Sequence, residues 1–206
     1  MTPDLNLQQL FGGIDIYLFD QLLKGQLNPP MTVLDAGCGG GRNLTYFLRS
    51  GYEVCGVDQS PEAITAIQTL AARLSPDLPA NNFRVEPVER MSFAAAQFDV
   101  VISSAVLHFA RDEAHWLAMV REMWRVLKPG GILFARLAST IGIESEVEHI
   151  EGRRYHLPDG STRFLVDEQM LLAATDSLGA QWLEPLKTVV VQHMRSMSNW
   201  CLRKNL

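Results

Sequence analysis

The residues whose types and spacing could do chemistry lie in two short segments, each after an apolar stretch. Asp35 opens the run Asp35-Ala-Gly37-Cys-Gly39-Gly-Gly41, and Asp58 ends a second such stretch. Glycine lets the backbone turn sharply and lets a ligand approach without a Cβ in the way. A carboxylate at the end of a second strand is placed to accept hydrogen bonds from both hydroxyls of a ribose. The pattern therefore indicates a site for an adenosine-type nucleoside.

A parallel sheet would bring these two segments together. Residues 33–34 form a short apolar run typical of a buried parallel strand, and residues 54–57 form a second one. Between them, residues 44–48 carry apolar side chains at helical spacing. Ligands of open α/β sheets bind outside the carboxyl ends of the strands, near the switch point of the sheet. Asp35 and Asp58 both leave their strands at that edge.

The same patterns continue along the chain. They predict helices over residues 5–27, 44–50, 60–74, 112–127 and 167–179, strands over 82–85, 98–104 and 132–136, a hairpin over 155–165, and closing strands over 181–191 and 194–202. Ser60, followed by Pro61, and Asp167 are predicted N-caps. Residues 128–131 should turn into the strand that follows.

The glycine run departs from the dinucleotide fingerprint G-x-G-x-x-G, because Arg42 stands in place of the third glycine. Asp35 would repel a pyrophosphate but suits a cationic ligand. The run resembles instead the first motif of the class I S-adenosylmethionine-dependent methyltransferases. Residues 98–104 resemble the fourth motif of that family, and the string Arg-Val-Leu-Lys-Pro-Gly-Gly at 125–131 is a familiar mark of it. The small type 11/12, tellurite-resistance and ubiquinone-type groups look similar at this level.

This resemblance implies an architecture. We expect an α/β, Rossmann-like, doubly wound seven-stranded mixed sheet with its last strand antiparallel. Residues 1–206 would form one domain. Within it we expect an N-terminal helical lid (1–28), a cofactor-binding core (31–137), a variable insert with a hairpin over the acceptor site (138–166), and a closing helix and strands (167–206).

The resemblance also implies which residues hold S-adenosyl-L-methionine, whose product is S-adenosyl-L-homocysteine. They are Asp35, Gly37, Cys38, Gly39, Arg42, Asp58, Gln59, Val88, Glu89, Ser103 and Ser104. The family often has an Asp for the adenine amino group where this chain has Pro87. Proline has no N–H to donate. We therefore expect the Val88 backbone and the Met91 side chain to hold the adenine, with Glu89 taking over the polar contact.

The reaction implied is an SN2 methyl transfer, in which the leaving group is already activated and the protein supplies alignment. No residue is required to act as a base, and the weak catalytic candidates are His108, Arg136 and Tyr17. His108 either lines the acceptor pocket, where it could act as a base, or shapes its loop by a hydrogen bond to the backbone. Arg136 either meets an anionic acceptor or pairs with an acid such as Asp15 or Glu144.

Two further segments can reach the acceptor side. In the family, the N-terminal helical region often covers the methyl end of the cofactor, and insertions after the fifth strand commonly cover the acceptor pocket. The candidates in these segments are Asp15, Tyr17, Asp20, Tyr155, His156 and Arg163. The alternative is that the aromatic ring of Tyr17 packs, the two acids are solvated, and the hairpin side chains are exposed surface.

Composition limits the class of partner. The net charge of −5 over 206 residues argues against a broad nucleic-acid surface, so a small-molecule acceptor is expected. The three cysteines are an odd number without paired spacing, which is typical of reduced thiols in a cytoplasmic protein, and no metal-ligand spacing is visible. We expect no secretory signal and no membrane span. The oligomeric state, monomer or homodimer, stays open.

Two alternatives to an enzyme of this kind remain. One is a non-catalytic protein that binds S-adenosylmethionine or S-adenosylhomocysteine in a regulatory or scaffolding role, which a sealed pocket would favour. The other is a nicotinamide oxidoreductase, which Arg42 and Asp35 disfavour.

Overall fold

Six α-helices and eleven strands occupy residues 6–206, which are the residues that the computed structural model describes. The helices are α1 (Leu7–Phe11), α2 (Ile16–Leu23), α3 (Thr45–Arg49), α4 (Pro61–Leu74), α5 (Glu113–Val126) and α6 (Glu168–Ser177). The strands are β1 (Thr32–Ala36), β2 (Glu53–Asp58), β3 (Phe83–Val85), β4 (Phe98–Ser104), β5 (Leu127–Ala138), β6 (Glu148–Glu151), β7 (Arg154–His156), β8 (Thr162–Phe164), β9 (Ala180–Trp182), β10 (Lys187–Val191) and β11 (Arg195–Lys204).

The main sheet has the order β3-β2-β1-β4-β5-β11-β10, with β9 also paired to β11. The pairs among β1 to β5 are parallel, whereas β11 runs antiparallel to both β5 and β10. β9 pairs with residues 202–204 and β10 with residues 195–199, so the two short strands follow each other along one edge of β11. The predicted seven-stranded mixed sheet with an antiparallel last strand is confirmed, with the edge position beside β11 divided between β9 and β10.

The division between β9 and β10 corrects the single strand predicted over residues 181–191. Residues 183–186 leave the ladder after the Leu183 amide donates to the Cys201 carbonyl at 2.9 Å. Pro185 lies in this interruption, and a proline has no N–H with which to continue a ladder.

Helices cover both faces of the sheet, as the doubly wound prediction requires. On one face, α5 and α6 bury Trp116, Met123 and Leu171 against the strands. On the other face, α2, α3 and α4 bury side chains such as Phe47 and Ile67. The central strands are therefore apolar on both sides, which explains why they read as continuous apolar runs in the sequence.

The predicted helix starts are confirmed. The Ser60 side chain accepts from the Ala63 amide at the start of α4, with Pro61 in the first turn, and Asp167 caps α6 in the same way. The region predicted as helical over residues 5–27 is two helices, because Gly12 and Gly13 interrupt it. Its first residue lies outside the described part of the chain.

Two strands differ from the prediction. β5 starts directly after α5, since Leu127 pairs with Phe98, and the ladder resumes at Ile132 after a bulge that contains the predicted turn. β6 was not predicted, because its four exposed residues show no apolar alternation.

The predicted hairpin forms β7 and β8, and with β6 it makes a separate three-stranded antiparallel sheet. An isolated bridge between Ser139 and Val166 joins the segment after β5 to the segment after β8. Among residues 6–206, no helix is both long and apolar enough to cross a bilayer.

Candidate functional site

The glycine loop folds back on the end of β2. The amides of Gly37 and Cys38 both donate to the Val57 carbonyl at 2.9 Å, and the Gly41 amide donates to the Cys38 carbonyl at 3.0 Å. Gly37 has φ +87°, and a Cβ there would lie 2.5 Å from a methyl carbon of Val106. Glycine is therefore required at this position for backbone conformation and for space.

Asp58, at the end of β2, is fixed by two backbone amides. One carboxylate oxygen accepts from Gly39 at 2.9 Å, and the other accepts from Ser60 at 2.9 Å. A carboxylate oxygen has two lone pairs, so each oxygen keeps one for a further donor. The carboxylate can thus receive two neighbouring hydroxyl groups without losing its supports.

A trough of about 420 Å³ opens beside Asp58. Five predicted cofactor residues line it, namely Gly37, Asp58, Gln59, Val88 and Glu89. The other lining residues are Pro87, Ala105, Val106, Phe109, Arg111, His115 and Met119. Of these, His115 and Met119 stand four residues apart on α5, which places them on one face of the helix. The four-residue spacing of His115 and Met119 within a predicted helix is the pattern by which the sequence could have identified them.

A second cavity of about 360 Å³ lies on the other side of the glycine loop. Four more of the predicted residues line it, namely Cys38, Gly39, Arg42 and Ser104. Gly37 and Ala105 line both cavities. Ala105 has φ +65°, and its amide donates to the Arg136 carbonyl at 2.8 Å, which holds the turn after β4 against β5.

Asp35 and Ser103 line neither cavity. The Asp35 side chain is 1% exposed, and neither of its oxygens has a hydrogen-bond partner in residues 6–206. Burial raises the pKa of Asp35 to about 7, the nearby Arg42 opposes this rise, and Asp58 adds to it. Ser103 is fully buried, and its hydroxyl has no partner in the same part of the chain.

Glu89 is held by His115 and Arg111 on the far side of the trough. One of its oxygens lies 3.1 Å from Nε2 of His115 and 4.0 Å from Arg111. Burial alone would raise the pKa of Glu89, but its backbone hydrogen bond and these two neighbours hold it below the usual value. Met91, predicted to hold the adenine, packs in the core, and Met119 lines the trough instead.

Asp15 closes the site from the N-terminal side. One carboxylate oxygen accepts from the Tyr17 amide at the start of α2, at 3.0 Å. The other accepts from the Ser104 hydroxyl at 2.9 Å and from Arg136 Nη1 at 3.0 Å. Arg42 also donates to the Ser104 hydroxyl at 2.9 Å. The Asp15 side chain, which is 3% exposed, therefore holds α2 over the carboxyl ends of β4 and β5.

Of the two roles predicted for Arg136, the structure shows the pairing with Asp15. The Arg136 guanidinium also lines a cavity. Glu144 accepts instead from the Gly142 amide, and Asp20 pairs with Lys187 at the surface. The guanidinium carbon of Arg136 lies 5.4 Å from the ring centre of Tyr17.

A third cavity of about 280 Å³ adjoins the other two, because Ala105 lines it as well. Its further lining residues are His108, Arg136, Ala138, Leu157, Asp159, Ser161, Arg163, Val191, Arg195 and Met197. The hairpin candidates Tyr155 and His156 do not line it. Tyr155 packs beside Leu157 and Leu165, and His156 bonds Thr162.

His108 lies at the edge of this third cavity. Burial, and then the charges of Arg163 and Arg136, lower the pKa of His108 to about 4, so the imidazole is neutral at pH 7. Its Nδ1 has no hydrogen-bond partner among the described residues. The side chain therefore does not hold its loop through a bond from that nitrogen.

The site as a whole suits a nucleoside without a pyrophosphate. The amides of Gly37, Cys38, Gly39 and Gly41 are all used within the protein. The next helix, α3, begins only at Thr45. A pyrophosphate needs free amides at a helix N-terminus. Asp58 instead presents a carboxylate to the trough, and Asp35 lies buried behind the loop. The ionised form of either carboxylate favours a cationic ligand nearby.

A family model and many known proteins are similar to this chain, and three of these proteins illustrate the similarity. The model, described as a methyltransferase domain, matches residues 34–135. YodH, an uncharacterized methyltransferase of Bacillus subtilis (strain 168), is 32% identical over 127 residues, which are 62% of this chain and 48% of that protein. A ubiquinone biosynthesis O-methyltransferase of Caulobacter vibrioides is 34% identical over 105 residues, 50% of this chain and 39% of that protein. The chain thus spans less than half the length of these two relatives.

The third protein is a solved structure, Burkholderia thailandensis 1,6-didemethyltoxoflavin-N1-methyltransferase with bound 1,6-didemethyltoxoflavin and S-adenosylhomocysteine. It matches with a TM-score of 0.70 and 21% identity, covering 95% of this chain and 80% of that chain. At this identity the match shows a shared fold.

Proposed function

Because this chain belongs to the class I S-adenosylmethionine-dependent methyltransferases, we propose that it transfers a methyl group from S-adenosyl-L-methionine to a small-molecule acceptor. The observation that carries the proposal is the buried, unpartnered Asp35 carboxylate behind a glycine loop whose amides are already used. Burial raises the pKa of Asp35 to about 7, so a cationic ligand beside the loop would favour the ionised carboxylate and would be attracted by it. S-adenosylmethionine carries an ammonium and a sulfonium and has no phosphate.

The residues present fit this cofactor along its whole length. Asp58 would accept from the two ribose hydroxyls, since each of its oxygens keeps a free lone pair. Val88 and Met119 would hold the adenine between apolar walls of the trough. Around the second cavity, Arg42 would bind the carboxylate of the methionine part. The product, S-adenosyl-L-homocysteine, would keep all of these contacts.

Bound S-adenosylmethionine supplies a methyl group on a sulfonium, which is an activated electrophile for in-line displacement. The chain's own contribution is position and the exclusion of water. Ala105 lies where the two cofactor cavities meet the third cavity, so an acceptor there would lie beside the cofactor. The hydrogen bonds of Asp15 with Ser104 and Arg136 support a role for α2 as the lid over this point. Holding two reactants in line can supply much of the rate enhancement of such a transfer.

The room beside Ala105 bears on the alternative of a non-catalytic binding protein. A cofactor site with no space for an acceptor beside Ala105 would support that alternative. The third cavity instead provides about 280 Å³ there, which supports an acceptor and hence an enzyme.

The first experiment is calorimetric titration with S-adenosylmethionine, S-adenosylhomocysteine and NADH. We expect micromolar binding of the first two and no binding of NADH. Methyl transfer from radiolabelled S-adenosylmethionine to a panel of small molecules would follow. Binding of NADH alone would overturn the proposal.

His108→Ala should leave the affinity for S-adenosylhomocysteine within about threefold, because His108 lines the third cavity and neither cofactor cavity. Since the pKa of His108 is lowered to about 4, the rate of methyl transfer should show no histidine ionisation from this residue between pH 6 and 8. Calorimetry and a pH profile measure the two effects. His156→Ala, in the exposed hairpin, is the matched control. A loss of cofactor affinity confined to the His108 variant would contradict this assignment.

A further inference from the structure

The third cavity carries charge that the methyl transfer does not need. Three arginines line it, namely Arg136, Arg163 and Arg195, together with a single acid, Asp159. This concentration stands out in a chain whose net charge is −5. Transfer from a sulfonium needs alignment and, only for a protonated acceptor, a base. The arginines are therefore evidence about the charge of the acceptor.

The charges of the cavity do not cancel. Arg136 is paired with Asp15 at 3.0 Å. Arg163 and Arg195 face Asp159, whose pKa is lowered by hydrogen bonds from Ser161 and then by these two guanidinium groups. His108 is neutral at pH 7. Two cations and one anion remain, which leaves one positive charge.

Both unpaired cations are available to a ligand. Within residues 6–206, no carboxylate oxygen lies within 4 Å of a nitrogen of Arg163 or Arg195. Arg163 is held in place by a bond from its Nη1 to the Thr162 carbonyl at 2.8 Å and by the ring of Phe109, 5.0 Å away. A guanidinium has five N–H donors, so most of those on Arg163 stay free for an acceptor.

Apart from the polar side chains of Ser161 and His108, the remaining walls of the cavity are apolar. Ala138, Leu157, Val191 and Met197 face it from β5, the small sheet and the closing strands. A ligand that fits must combine an apolar body with one anionic group. A single excess positive charge matches a carboxylate better than a phosphate dianion, and arginine binds a carboxylate with two parallel hydrogen bonds.

We propose that the methyl acceptor is an apolar carboxylic acid, whose carboxylate is bound by Arg163 and Arg195 while its body lies between the apolar walls beside Ala105. This inference rests on the proposed methyl transfer and names the chemical class of its acceptor. The carboxylate is the anchor, and a separate nucleophilic oxygen, nitrogen or sulfur atom of the same molecule takes the methyl group. The bond from that atom to the methyl carbon forms as the sulfonium C–S bond breaks, the electron pair stays on the sulfur of S-adenosylhomocysteine, and any proton on the nucleophile is released to water.

The test uses paired probes that differ only in charge. Benzoate and benzamide, and hexanoate and hexanamide, are titrated against the protein loaded with S-adenosylhomocysteine, and binding is followed by saturation-transfer NMR. We expect each acid to bind at least about tenfold more tightly than its amide. Arg163→Gln and Arg195→Gln should each remove most of this preference without changing the affinity for S-adenosylhomocysteine.

Arg154→Gln is the matched control, because Arg154 lies in the same small sheet but does not line this cavity. It should keep the preference for the acid. Equal binding of acid and amide, no binding of either acid, or tighter binding of phenyl phosphate than of benzoate would overturn the inference. A protein that fails to bind S-adenosylhomocysteine would overturn the proposed function as well, so the two failures are distinguishable.

Discussion

Asp58→Ala should weaken the binding of S-adenosylmethionine by at least about 100-fold. The carboxylate would accept two hydrogen bonds from the ribose, and hydrogen bonds to a charged group each contribute about 1.5–3 kcal/mol. The substitution also frees the Gly39 amide, which Asp58 holds at 2.9 Å, so the glycine loop loses a support. Calorimetric titration of the variant and the parent protein gives the ratio of affinities directly.

Glu53→Ala is the control for the Asp58 variant. Glu53 is an exposed carboxylate at the opposite end of β2, so its removal changes the charge without touching the site. It should leave the affinity for the cofactor unchanged. An Asp58→Ala protein that is folded and binds as tightly as the Glu53 control would show that Asp58 holds no ribose.

Asp35→Asn should stabilise the unliganded protein at pH 8 and weaken cofactor binding. The pKa of Asp35 is raised by burial to about 7, against an ordinary value of 3.8. The folded state therefore holds a proton that the unfolded state has lost, and stability falls as the pH rises from about 4 to about 7. Above pH 7 the ionised carboxylate costs up to about 4 kcal/mol, which asparagine avoids.

Denaturant unfolding at pH 4.5 and pH 8 tests this prediction. The two proteins should be close in stability at the lower pH, and the asparagine variant should be more stable at the higher pH. Equal stability at both values would show that Asp35 is not a buried anion.

Binding of a cationic cofactor should release a proton from Asp35 at pH 6. Calorimetry in buffers of different ionisation enthalpy should detect this release in the parent protein and not in the variant.

The cofactor side of the site could be predicted because its determinants are local in sequence. The glycine run, the acid at the end of β2 and the cap at Ser60 each act within a few residues, and the structure has all three. The positions of the central strands in the sequence followed from apolar runs that are buried on both faces, whereas the architecture of the sheet followed from the family resemblance. Patterns of this kind are visible without knowledge of distant contacts.

The acceptor side could not be predicted in the same way. Ala105, Arg163 and Arg195 come together only because the chain returns twice to the same edge of the sheet, through the small sheet and through β11. Their separation in sequence gives no periodic signal. The contact of Glu89 with His115 is of the same kind, since it joins the loop after β3 to the start of α5. The pairing of Asp15 with Arg136 was one of the two readings that the sequence left open.

The small sheet of β6, β7 and β8 has a consequence for engineering. Its strands pair with one another, and its backbone meets the segment after β5 at the bridge between Ser139 and Val166. The strands that carry Asp35 and Asp58 belong to a different ladder. Phe164 of β8 is the exception, because it is buried in the main core and stacks on Trp116. The residues of the small sheet before Phe164 can be varied without altering the main ladder. If Arg163 binds the acceptor as we propose, a library confined to residues 148–163 should change the choice of acceptor while the register of the main sheet stays fixed.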